Sequence, residues 1–272
     1  MYTNLPEEVV NKIQEEVEII VDKYGIVNKI VRNDIFEILE KLCVVLRFPL
    51  DDDEEANGIH VIRCIKGEDR DFVFINTSNS IEKQVYTAAH ELGHVWKIDE
   101  KVLAQITEKC DPEDIINRFA AELLMPNNIF LRAFALKCNQ LGIEAGQVEE
   151  KQLIDVVIFL MNTFMVPYKA IVYRIEEVGI IDSNNRIKLE QCEEKYSEYL
   201  REVAKANDYQ NILKTDKQKS MSDLYNMLAE AETKELLPNN KIKYARELFD
   251  YNASVVDYNG NEAIAIKTIP EE

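Results

Sequence analysis

The 272-residue chain contains three histidines, His60, His90 and His94, and two of them frame the run His90-Glu91-Leu92-Gly93-His94. In an α-helix, residues four apart are separated by about 400° of rotation and about 6 Å of rise, so both imidazoles leave one face. Two neutral imidazoles so placed grip a single zinc ion at about 2.0–2.1 Å each. Glu91 stands about 100° round the helix from His90, too far to share the ion easily but well placed to touch a water beside it. Zinc acidifies such a water toward a pKa of about 7, and an adjacent carboxylate takes the proton as the oxygen attacks a carbonyl. The spacing therefore predicts a hydrolytic metal centre with His90 and His94 as ligands and Glu91 as general base. Manganese or iron would accept the same ligands.

A catalytic zinc needs a third protein ligand and one open position. The metzincin extension would place Gly at 97 and His at 100, where this chain has Lys97 and Glu100, so that subclass is excluded. In DPEDIINRFAAELLMP, Glu113 and Asn117 lie one turn apart on one face. This ExxxN resembles the ExxxD element of the thermolysin-like gluzincins, which implies Glu113 as third ligand and Asn117 as a hydrogen-bond partner of a ligating histidine. Glu122, nine positions on, projects from the opposite face, so the two cannot both serve. Ala120, Ala121 and Leu124 lie near Glu113's side and suit close packing there, so Glu122 is expected to face solvent or a different partner. Glu122, Asp111, Cys110 and Glu108 stay open as alternatives, as does the absence of a third ligand.

Positioning these groups requires two helices held face to face. The HExxH segment reads as a helix from a cap at Ser80 to about residue 97, following a hairpin of strands at 59–65 and 71–76. Asp111-Pro112 supplies an N-cap and a proline at the first helical position, starting a helix that stops near Pro126. Apolar periodicity predicts upstream helices over about 6–24 and 33–46, a short one over 100–109, and downstream helices over about 128–138, 148–164, 168–178, 189–206, 220–236 and 240–251. The acidic run at 51–58 reads as a solvated turn, because the EF-hand spacing is missing. A polar break at 181–186 divides the chain into a metallopeptidase domain with N-terminal helices (1–181) and a mainly helical C-terminal region (182–272) of unassigned role. The closing EAIAIKTI alternates as a strand does. The expected fold is α+β, with a small antiparallel or mixed sheet packed on the HExxH helix and a second Glu-bearing helix, and further helices at both ends.

The two blocks FVFINTSNSIEKQVYTAAHELGH and EDIINRFAAELLMP together resemble the ImmA/IrrE family of bacterial and phage zinc metallopeptidases. The similarity spans about residues 27–180 and is sharpest at 72–96 and 113–126. It implies one catalytic Zn²⁺, His90 and His94 as metal histidines, Glu91 as general base and Glu113 as acidic third ligand. Members typically act in the cytosol, cutting or otherwise inactivating a helix-turn-helix repressor, so the resemblance implies a protein substrate of that class.

Composition narrows the remaining classes. With 32 basic and 50 acidic residues the formal net charge is −18, which argues against a nucleic-acid backbone or an anionic lipid surface as main partner. The longest apolar run, 156–161, is far short of the ~18 residues a membrane span needs. The N-terminus shows neither a basic start nor an apolar stretch with a cleavage site. Five scattered cysteines form no CxxC pair and read as thiols in a reducing cytosol. Tyr86 is expected in the core rather than at an oxyanion, and His60 as an ordinary strand histidine, with a transition-state donor as the alternative. Trp96 and Phe119 are expected between the two metal-bearing helices, and residues 72–76 form either an interior strand or a sheet edge on which a peptide docks. The functional expectation is an intracellular zinc endopeptidase acting on a protein regulator; the alternative is a zinc-containing regulatory protein that sequesters a partner without cutting it.

Overall fold

The computed structural model describes residues 5–26, 29–50, 56–65, 67–107, 109–143, 148–209 and 211–249, and the backbone of two short strands beyond them. Helix α1 (Glu7–Lys23) buries Val9, Ile13, Val17 and Ile20, one stripe at helical spacing. Helix α2 (Asp34–Glu40) is shorter than the helix expected over 33–46: the Cys43 amide closes it onto the Leu39 carbonyl, and Val44–Phe48 is strand β1. A short apolar run such as Val44-Val45-Leu46 fits helix or strand equally by period, and pairing decides the matter. Strand β2 (Gly58–Ile65) turns through Gly67 into β3 (Glu68–Asn76), a hairpin with a tighter turn than the sequence suggested. β1 lies parallel to β3, with Val45 opposite Val73.

Helix α3 (Ile81–Val95) carries the HExxH run, and α4 (Ile98–Leu103) ends well before residue 109. Helix α5 (Pro112–Leu124) is capped by Asp111, whose side chain accepts from the Glu113 amide at 3.0 Å. Helices α6 (Asn127–Gln140), α7 (Glu150–Phe164) and α8 (Tyr168–Glu177) follow, and α7 and α8 are strongly buried. The polar stretch from residue 181 is the entry to α9 (Ser183–Lys195), with Asp182 accepting from the Asn185 amide. The single helix expected over 189–206 is two, since Tyr196 leaves helical geometry before α10 (Ser197–Ala206). Strand β4 (Ser220–Met221) precedes α11 (Leu224–Thr233), so the helix expected from 220 starts later. Helix α12 (Asn239–Leu248) is followed by an antiparallel pair, β5 (Val255–Val256) and β6 (Glu262–Ala263). The rest of the expected tail strand lies outside the described residues, as do residues 51–55 of the acidic turn.

The fold is α+β, with a mixed four-stranded sheet in the order β2-β3-β1-β4. Strand β3 is interior, so the strand expected as a possible docking edge is not one; the edge beside α3 is β2. One hydrophobic core takes in α1 to α5, α7 and α8 and continues through Leu189, Cys192, Leu200, Ala204 and Ile212, while Leu224, Leu228, Ala231 and Ile242 form a small separate cluster. No single described helix is long and apolar enough to cross a membrane.

Within the core, Arg174 of α8 is fully buried and donates to the Glu122 carboxylate at 2.7 and 2.9 Å, to the Met125 carbonyl and to Asn127 Oδ1. These bonds satisfy carbonyl and carboxylate groups at the C-terminal end of α5, where Pro126 stops the helix. They fix the far end of the helix whose first turn carries Glu113.

Candidate metal centre

Three ligand atoms converge between α3 and α5. His90 Nε2 and His94 Nε2 are 3.2 Å apart, and the Glu113 carboxylate oxygens lie 3.3 Å from the first and 3.6 Å from the second. A tetrahedral zinc with bonds of about 2.0–2.2 Å has ligand-to-ligand edges of about 3.3–3.6 Å, so these spacings fit one ion shared by all three. Among the described residues, His90, His94 and Glu113 form the cluster placed to hold a metal.

Packing explains the convergence. Val85, Ala88, Ala89 and Leu92 bury one side of α3 against the core, which leaves His90 and His94 turned together toward α5. Gly93 makes that contact close: a Cβ there would meet Phe119 at 3.0 Å and Ile116 at 3.1 Å. Trp96 and Phe119 meet edge-on at 6.1 Å where the helices join, the packing role expected of them. Glu113 sits in the first turn of α5, where unpaired amides and the helix dipole favour a carboxylate.

Asn117 Oδ1 lies 3.0 Å from His90 Nδ1, accepting a hydrogen bond from its N–H and leaving the Nε2 lone pair for a metal. Burial, with the neighbouring His94 second, pushes the His90 imidazole below its usual pKa and keeps it neutral, the form that ligates. Glu91 is buried beside the two histidines, outside the ligand cluster. Its carboxyl is raised to about 7, first by burial and then by the negative charge of Glu113.

The other residues weighed from sequence are also located. Glu122 does not face solvent; Arg118 and Arg174 hold it on the side of α5 away from the histidines, and Gln14 of α1 donates to it as well. Burial alone would raise its carboxyl, but hydrogen bonds and charge from Arg174, with Arg118, outweigh that and bring it down to about 2. Asp111 is used as the α5 cap, Cys110 is half-buried, and Glu108 lies outside the described residues. Tyr86 donates to the Asn117 carbonyl at 3.1 Å, bracing α5.

His60, expected as an ordinary strand histidine with a transition-state donor as the alternative, lies beside the cluster. On β2, it lines a cavity of about 280 Å³ together with Gly58, Ile59, His90, Glu91 and His94. Its ring is stacked over His94 at 6.4 Å, and its Nε2–H donates to Asp71 on β3 at 2.6 Å. Gly58, which opens β2, has no room for a side chain: a Cβ would meet Thr87 at 2.5 Å, the Phe74 carbonyl at 2.9 Å and Glu91 Oε1 at 3.1 Å. The edge strand therefore passes directly against the helix that carries the general-base candidate.

An HExxH helix and a Glu-bearing helix, packed beside a small mixed sheet with a free edge strand, define the metallopeptidase class. The IrrE N-terminal-like domain model of the M78 peptidase family matches residues 44–176 of the chain. That match runs from β1 into the last turn of α8 and contains His90, His94 and Glu113. No curated protein and no solved structure gives a match to this chain.

Proposed function

We propose that this protein is a zinc-dependent endopeptidase that hydrolyses a peptide bond in a protein regulator, in the cytoplasm, with a helix-turn-helix repressor as the substrate class. The observation that carries the reading is the 3.2–3.6 Å triangle of His90, His94 and Glu113, with Glu91 in the same cavity. A zinc ion held there supplies a water acidified toward a pKa of about 7 and a positive charge for a carbonyl oxygen. Glu91, buried and outside the ligand set, is the group that accepts the proton and passes it to the leaving amine. Asn117 orients His90, and His60, oriented by Asp71, borders the space beside His94 where a scissile carbonyl would lie.

The outer edge of β2 gives a peptide its docking line. Among the described residues its backbone groups on that side have no strand partner, and Ile59 at 55% and Ile62 at 47% exposure offer apolar surface for alternate side chains. A substrate added as an outer strand runs past Gly58 and His60 and brings its carbonyl to the cavity. The five cysteines form no disulfide, which agrees with a reducing compartment. The repressor class rests on the family resemblance.

The test is incubation of zinc-loaded protein with the helix-turn-helix repressor encoded nearest its gene, followed by intact-mass analysis. The reading expects one defined cut, abolished by Glu91→Gln with zinc retained. Tight binding without cleavage, across metal and redox conditions, would favour sequestration instead.

A further inference from the structure

Away from the metal centre, a cleft of about 440 Å³ lies between α10 and the segment that leads to β4, lined by Arg201, Ala204, Lys205, Asp208, Tyr209, Ile212, Leu213 and Lys214. Its size is that of a small-molecule site, about 300–1,000 Å³. The floor is apolar: Ala204 and Ile212 are buried, Tyr209 is half-buried, and Leu213 presents an exposed side chain. The rim is cationic. Arg201, Lys205 and Lys214 surround it against the single acid Asp208, in a chain whose net charge is −18. None of these three cations makes an ion pair or side-chain hydrogen bond among the described residues, although many other basic side chains do.

The far wall is tied to the catalytic helix. The Lys214 carbonyl accepts from the Ile81 amide at 2.8 Å, and Glu82 accepts from the Leu213 amide at 3.0 Å, so residues 213–214 are hung on the first turn of α3. Asp216 then accepts from Gln84 and from Arg47, and Gln218 accepts from Thr77. Leu213 holds this position at φ 60°, a left-handed conformation costly for a large side chain, and the buried Glu82 keeps it there.

We propose that this cleft binds a small anion with an apolar body, a medium-chain carboxylic acid being its simplest form. The apolar body lies over Ala204, Ile212 and Leu213, and the carboxylate is received by Arg201, Lys205 and Lys214, whose stems add to the apolar surface. Occupancy presses on Leu213 and Lys214 and thereby steadies the first turn of α3, nine residues before His90. The site is independent of the peptidase reading, since neither its lining nor its test involves the metal cluster.

The experiment is calorimetric titration of the full-length protein with decanoate below its micellar range, and with 1-decanol as the neutral match. Hydrogen exchange is read at Ile81 and Leu213 with and without decanoate. The expected result is saturable one-to-one binding of decanoate, about tenfold or more tighter than decanol, and lost by a similar factor in Arg201→Ala/Lys205→Ala. Exchange at both amides slows on binding. Non-saturating uptake, equal affinity for decanol, no effect of the double substitution, or binding that leaves both amides unchanged would each overturn the assignment.

Discussion

Asn117 Oδ1 lies 3.0 Å from His90 Nδ1, and so one side chain of α5 sets the tautomer of the first histidine of α3. The two helices thus meet at the site through Glu113, a candidate ligand, and through Asn117 one turn later, which holds His90, another candidate. Removing Asn117 should spare the fold and cost metal. Asn117→Ala is expected to weaken zinc affinity by about 10–100-fold with the unfolding midpoint little changed, read by competition with a chromophoric chelator. Asn117→Asp, which keeps the acceptor, should hold affinity near the starting value; an unaltered affinity in the alanine variant would show that His90 needs no such partner.

Gly93 sets the distance between the same helices. In Gly93→Ala the new methyl would lie 3.0 Å from Phe119 and 3.1 Å from Ile116, so those side chains, or α5 with them, must give by a few tenths of an ångström. Overpacking of this kind costs about 1–3 kcal/mol, and where α5 yields it is expected to draw Glu113 from the histidines. Urea unfolding and zinc titration on one preparation should show both losses together. A destabilised variant with undiminished zinc affinity would mean that the interhelix gap does not govern the site.

The raised carboxyl of Glu91 predicts a proton count. With a pKa of about 7 in place of 4.5, the metal-free site holds a proton between those values that a solvated glutamate has released. A cation at His90, His94 and Glu113 favours the ionised form, so zinc loading near pH 6 should expel that proton, while at pH 8 there is none to expel. Calorimetry in buffers of different ionisation enthalpy should show the excess release at pH 6, absent in Glu91→Gln. Identical proton release by the two proteins at pH 6 would contradict the assignment.

Glu122 and Arg174 are a structural pair. The Glu122 carboxyl is held at about 2, below its unfolded value near 4.5, so the folded state binds fewer protons. Its contribution is therefore full above about pH 4.5 and is lost as pH falls toward 2. Glu122→Gln removes one of the two carboxylates paired with the fully buried Arg174, leaving Glu177 at 2.9 Å, and should cost about 3 kcal/mol in denaturant unfolding at neutral pH. The folded fraction should still take up one zinc; loss of zinc from fully folded protein would return Glu122 to the ligand candidates.

The site was legible in sequence where its logic is local. His90, Glu91 and His94 follow from the period of one helix, and Asp111-Pro112 announces where α5 begins. What was missed depends on distant partners. Val44-Val45-Leu46 becomes a strand because β3 offers it a parallel neighbour, and β4 is two residues whose pairing with β1 leaves almost no local pattern. Glu122 finds Arg174 across 52 positions, and His60 reaches the metal centre because Gly58 lets the edge strand lie on α3. The Asn57-Gly58 pair signals a turn, but nothing local says which helix the following strand will meet.

The most direct measurement is anomalous diffraction at the zinc edge from crystals grown with equimolar zinc. One ion is expected about 2.0–2.2 Å from His90 Nε2, His94 Nε2 and a Glu113 oxygen, with the fourth position open to solvent. An ion bound elsewhere, a site completed without Glu113, or a fourth position closed by a protein side chain would contradict that arrangement.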